Sequence, residues 1–156
     1  MKSYFLKLYK YNAWSNDRVL TCLKNQSVDD EKILSLLGHY VAAQFLWLHR
    51  IMGLAPPQHK LWGDYSLIEL DAMAVEANRQ WLEFIHSHDS FDRELTYKNY
   101  VGDSYTNNVE AIMIHLVNHC SYHRAQIAML LRQKGLEPIN TDFITYDRVL
   151  RGQWKD

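Results

Sequence analysis

From Asn107 to Lys134 the chain runs without a glycine or a proline, and Gly135 then breaks it. Apolar residues recur through this stretch at three- and four-residue steps, which predicts one long α-helix. Asn107 or Asn108 suits its N-cap, and Gly135 suits its stop. A helix this long must lay its apolar stripe against other elements. His115, His119 and His123 stand on it at four-residue intervals. Four residues make one turn plus about 40°, so the three imidazoles rise one above the next on a single face. With His115 at 0°, Ile112, Leu116, Ile127 and Leu130 fall near roughly 60°, 100°, 120° and 60°. The histidines therefore share the apolar stripe, which is the stripe that faces a core.

A core imidazole needs partners for two ring nitrogens. Hydrogen bonding is the ordinary answer for a lone buried histidine. Two imidazoles one turn apart can instead share a divalent ion. The zinc-protease helix places Glu directly after its first His as general base. Here Leu116 follows His115 and Cys120 follows His119, so peptide hydrolysis by that route is not expected.

The 156 residues are read as one domain over 1–156, long enough for a real core. A net charge of −1 with interspersed signs gives nucleic-acid binding no electrostatic support. Cys22 and Cys120 make no disulfide framework, which fits a reducing, cytoplasmic setting. The first residues show no signal-peptide pattern. No run of about 18 apolar residues exists, so no membrane span is expected.

Three more long amphipathic stretches precede the histidine helix. Residues 3–24 carry Tyr4, Leu8, Tyr11, Ser15, Val19 and Cys22 along one face. Asn12 or Ser15 there could hydrogen-bond a buried imidazole. Residues 30–54 follow, capped by Asp29 or Asp30, with Ile33, Leu36, Tyr40, Ala43, Trp47 and Leu54 as the stripe. His39 lies inside that stripe, while His49 points away and reads as exposed. Residues 53–65 are the longest irregular segment; Trp62 reads as covering the core edge and His59 as solvated. Residues 66–88 form the third helix, where Ser66 and Glu69 make a capping box. His86 and His88 sit at its polar end as helix-end charges. Residues 94–101 alternate like a strand before Gly102-Asp103, predicting a short hairpin or extended excursion. A short last helix opens at Thr141 or Asp142 and ends near Leu150. The expected class is all-α, a four-helix bundle with one small hairpin-like excursion and a short C-terminal helix.

In such bundles, metal sites form from facing helices. The histidine helix supplies two ligands, and His39 is the other histidine on a core face. The expected trio is His39, His119 and His123, with His115 as the spare. Gln126, near 20° on the same face, is the candidate to hydrogen-bond a ligand. Cys120 points about 100° from His119 and reads as a packed small hydrophobe.

At these residues the chain resembles the DinB family, named for its DNA-damage-inducible members. The family's pattern His-x-x-Asn-His-x-x-x-His-Arg-Gly-Gln-Ile meets His115-Leu-Val-Asn118-His119-Cys-Ser-Tyr-His123-Arg124-Ala125-Gln126-Ile127, departing only at Ala125. Tyr11-Asn12-Ala13-Trp14-Ser15-Asn16 is similar to its first-helix motif, and Leu37-Gly38-His39 to its second-helix histidine region. The resemblance implies an up-down-down-up bundle, often a homodimer. It also implies His39, His119 and His123 as ligands of zinc or nickel, with cobalt or iron as further candidates. Some relatives are thiol S-transferases, which implies a small electrophile and a low-molecular-weight thiol as partners. A stress-response metal-binding module without turnover and a metal-dependent hydrolase are the alternatives, and a purely structural bundle with hydrogen-bonded histidines is a third.

Overall fold

The computed structural model describes residues 1–154. Four long helices dominate: α1 (Lys2–Asn25), α2 (Glu31–Met52), α3 (Leu67–Ser87) and α4 (Val109–Gln133). A hairpin of β1 (Glu94–Lys98) and β2 (Ser104–Asn108) separates α3 from α4, and α5 (Phe143–Leu150) closes the chain. The helix ends follow local chemistry. The Asp30 side chain accepts from Ile33 N, Ser66 and Glu69 form the full capping box, and Asn108 accepts from Glu110 N. Gly53 and Gly135 take the left-handed conformation, with φ of 66° and 72°, just past α2 and α4.

Cross-helix contacts fix the directions. Tyr9 packs against Trp81, while Lys24 pairs with Asp71 and Lys2 donates to the His86 carbonyl, so α1 and α3 are antiparallel. His39 meets His123 and Trp47 meets His115, so α2 and α4 are antiparallel too. Trp81 Nε1 donates to the Gln44 carbonyl and Gly38 abuts Leu70, so α2 and α3 run the same way. The topology is up-down-down-up. The segment 53–66, carrying Pro56 and Pro57, spans the length that two parallel neighbours require.

Two apolar clusters fill the interior. One gathers Leu23, Leu37, Leu70 and Ile127; the other gathers Phe5, Trp81, Phe91 and Leu116. Each fully buried side chain of this size contributes about 1.5–3 kcal/mol. A two-stranded hairpin alone is marginal in water. This one is held by docking: Leu95 and Tyr97 pack on the second cluster, Arg93 donates to the Ile51 carbonyl and Arg50 to the Lys98 carbonyl. Its register sets Leu95 opposite Asn107 and Tyr97 opposite Tyr105. α5 packs through Tyr146 and Phe143 onto Tyr11.

Several expectations shift in detail. Tyr4 and Leu54, placed on stripes, are exposed: the buried face of α1 runs through Phe5 and Tyr9, one residue round from Tyr4, and Leu54 lies past the end of α2. Leu36 is only partly covered, and Leu37 and Val41 take the centre of the α2 stripe. His49 is half-buried, its Nδ1 2.6 Å from the Ala55 carbonyl, because the chain folds back after Gly53. His59 is likewise half-buried, resting against the Phe45 ring. Among the described residues, no helix is long and apolar enough to cross a membrane.

Candidate metal centre

Antiparallel packing of α2 on α4 brings His39 against the histidine face of α4. Ring centroids lie 5.1 Å apart for His39 and His119, 4.9 Å for His39 and His123, and 4.4 Å for His119 and His123. One ring nitrogen of each lies within 4.8 Å of those of the other two. Three nitrogens held tetrahedrally at about 2.0–2.1 Å from one ion stand roughly 3.3–3.4 Å apart, so the trio would have to close by at most about 1.5 Å to share one. Among the described residues, no carboxylate or thiol joins this cluster.

The surroundings fit an ion. Gln126 Oε1 lies 2.7 Å from His123 Nδ1. A carboxamide oxygen only accepts, so Nδ1 carries the proton and Nε2 keeps a free lone pair. His39 Nδ1 is buried with no hydrogen-bond partner. Leaving such a group unsatisfied costs about 1–3 kcal/mol. Burial pushes the His119 imidazole down to about 4, assisted by the neighbouring rings of His123, His39 and His115. Burial also lowers His39, with His123 adding to the effect and the Leu61 backbone opposing it without a well-aligned hydrogen bond. His123 is lowered by burial against the opposing pull of Gln126. All three shifts favour the neutral ring, the form that binds a metal.

Solvent access falls along α4. His115 is exposed, His119 half-buried and His123 only 7% exposed. The shared stripe is thus graded, and His115 stands at its wet end, 5.4 Å from the His119 ring. It lines a cavity of about 390 Å³ together with Trp47, Tyr97, Asn107, Ala111 and Ile112. On the other side, Trp62 lies flat on His39, 3.9 Å between centroids and 12° from parallel. Trp62 therefore covers the imidazole cluster and not the core edge. The Tyr65 ring packs against Gly63 so closely that a Cβ there would come within 2.5 Å of it and displace that side chain.

Asn12 and Ser15 are fully buried as their face suggests, but neither bonds an imidazole. Ser15 Oγ reaches the Thr141 carbonyl at 3.5 Å. Asn12 Nδ2 donates to Gln44 Oε1, and Asn12 Oδ1 accepts from Arg124 at 2.8 Å. Arg124 is 3% exposed and also donates to Asn16 Oδ1 and Ser121 Oγ, beneath the Tyr11 ring. This clamp joins α1, α2 and α4 one residue from His123. It escapes sequence reasoning because Arg124 lies off the histidine stripe; the signal for it is the Asn12/Asn16 pair on the buried face of α1. Cys120 is fully buried and its thiol is pushed up to about 11 by burial, so it is a packed small side chain outside the cluster.

The sequence pattern that defines the DinB family matches residues 1–155. This chain belongs to the DinB family. Protein DinB of Bacillus subtilis (strain 168) is 23% identical over 163 aligned positions, covering 94% of this chain and 95% of that protein. An uncharacterized protein, YizA, of the same organism is 23% identical over 150 positions, covering 89% and 93% of the two chains. Ala125, the position where the helix-four motif departs from the pattern it resembles, is exposed on the outer side of α4.

Proposed function

We propose that this protein is a divalent-metal enzyme that transfers a low-molecular-weight thiol onto a small electrophile. The observation that carries this reading is the His39, His119 and His123 trio, with no carboxylate in the cluster among the described residues and an open cavity that begins at His115, one turn away along α4. When bound there, zinc or nickel (or cobalt or iron) would lower the pKa of a thiol so that its thiolate exists at neutral pH. A thiol activated in this way needs no dedicated general base, whereas hydrolysis benefits from one, and the cluster supplies none. The thiol proton leaves to solvent. The sulfur then forms a bond to the electrophilic carbon while the leaving group, chloride for a chlorinated arene, departs with its electron pair.

The chain's own residues hold the arrangement. Gln126 fixes the His123 tautomer, Trp62 shields His39, and the Arg124 clamp sets the height of α4 against α1. The test is conjugation of several small thiols to a chlorinated dinitroarene by the metal-loaded and the chelated protein. Metal-dependent conjugation that His39→Ala removes supports the reading. Equal rates with and without metal overturn it and leave a binding module.

We also propose a homodimer. Its support within the chain is the outer face of α4, where Ile114, Tyr122 and Met129 remain exposed. A monomer mass in sedimentation at micromolar concentration would contradict it.

A further inference from the structure

The three imidazoles do not use the cavity beside His115, and its lining is chemically one-sided. At about 390 Å³ it lies within the size range of small-molecule sites. Trp47, Tyr97, Ala111 and Ile112 give it apolar walls, and among the described residues that line it none is an acid, a lysine or an arginine. Arg50 comes near but is engaged by the wall residues themselves. Its guanidinium lies 4.9 Å from both the Trp47 and the Tyr97 ring, and its Nη2 donates to the Lys98 carbonyl. Trp47 and Tyr97 meet edge to face at 4.9 Å, which fixes both rings. Tyr97 Oη donates to Asn107 Oδ1 at 2.9 Å. That bond uses the carboxamide oxygen and leaves the two N–H donors of Asn107 available at the cavity wall. Position matters as well: His115 to His119 is four residues, about 6 Å of rise.

We propose that this cavity binds the acceptor substrate as an uncharged aromatic ring carrying a hydrogen-bond acceptor, such as a nitro or carbonyl group. The ring rests on Trp47 and Tyr97, and the acceptor group takes an N–H from Asn107. The assignment rests on the thiol-transfer reading above and names the substrate class for it. Charged or purely aliphatic electrophiles are disfavoured by the uncharged, aromatic lining.

Nitrobenzene and toluene test this without turnover, since neither carries a leaving group. Each is titrated into the full-length protein, zinc-loaded and chelated alike, and followed by NMR shifts of α4 and hairpin amides. Nitrobenzene should bind about 3- to 10-fold tighter than toluene, the worth of one neutral hydrogen bond. Asn107→Leu should bring nitrobenzene down to the toluene level. Ala111→Phe, which fills the cavity from an exposed position, and Tyr97→Ser, which removes a wall, should each weaken both ligands about tenfold or more with helicity unchanged. Equal affinity for the two ligands, or wild-type binding in Ala111→Phe, overturns the assignment. Ring binding in this pattern supports it even where no thiol turns over, in which case the proposed reaction alone fails.

Discussion

Gln126 Oε1 accepts a hydrogen bond from His123 Nδ1 at 2.7 Å, one turn further along the same helix. The bond does nothing to hold the bundle together, yet it decides which nitrogen of His123 can act as a ligand. Gln126→Leu should lower zinc affinity about 10- to 100-fold, the usual cost of losing a partner that orients a metal-binding histidine. The unfolding midpoint of the metal-free protein should hardly change. Competition with a chromophoric chelator measures the first quantity and urea denaturation the second. Unaltered zinc affinity would remove Gln126 from the site.

Metal content follows from the trio. The purified protein should carry about one divalent ion per chain. His119→Ala and His123→Ala should each abolish it, and His39→Ala should weaken it, while His49→Ala and His88→Ala leave it intact. Elemental analysis of the double variant His119→Ala/His123→Ala is decisive, since unchanged metal content there would refute the assignment.

Trp62 provides a spectroscopic reporter. Its ring lies 3.9 Å from the His39 ring, so a paramagnetic ion such as nickel held there should quench its emission. Trp62→Phe should remove most of the nickel-induced quenching among the five tryptophans while still binding nickel. Equal quenching in the variant would mean that the ion lies elsewhere.

Stability should depend on pH in a definite direction. His119 sits near 4 in the fold, below the 6.5 of an ordinary histidine, and His39, His115 and His123 are shifted the same way. As pH falls below about 6.5, the unfolded chain takes up protons that the folded chain refuses. The metal-free protein should therefore be most stable above that pH and lose stability progressively down to about 4. Thermal midpoints of chelated protein between pH 4 and 8 check this; a midpoint that climbs on acidification would contradict it.

The Arg124 clamp should dominate the polar energetics. Arg124→Met strips hydrogen bonds from Asn12, Asn16 and Ser121 in the interior and should cost about 2–4 kcal/mol in urea unfolding. Ala125→Gly, on the exposed side of the same helix, should cost only about 1 kcal/mol. Similar costs for the two would show that the clamp contributes little.

The trio was legible because helix periodicity carries His115, His119, His123 and His39 onto predictable faces, and Gln126 came with them. The capping residues Ser66, Asn108 and Gly135 were readable for the same reason, since their chemistry is local. Trp62 was not readable. Its place over His39 depends on the path of an irregular loop, and no period governs loops. Arg124 was hidden by the rule that places charges outside, and its buried partners come from a helix more than a hundred residues earlier. The face of Asn12 and Ser15 was evident, but which group they would meet depended on the relative heights of α1 and α4. The hairpin was visible as alternation, although nothing in its own residues says that it docks beside His115.

That docking separates two properties that many binding sites entangle. The imidazoles belong to α2 and α4, which are pinned into the core over their whole length. Tyr97 and Asn107 belong to a short two-stranded flap joined through Asn99–Asp103, whose outer turn is exposed. A change in that flap's length or register would recut the cavity wall while leaving the three nitrogens where they are. The cavity wall can thus be recut by editing one small ribbon, with the spacing of the three imidazoles inherited unchanged.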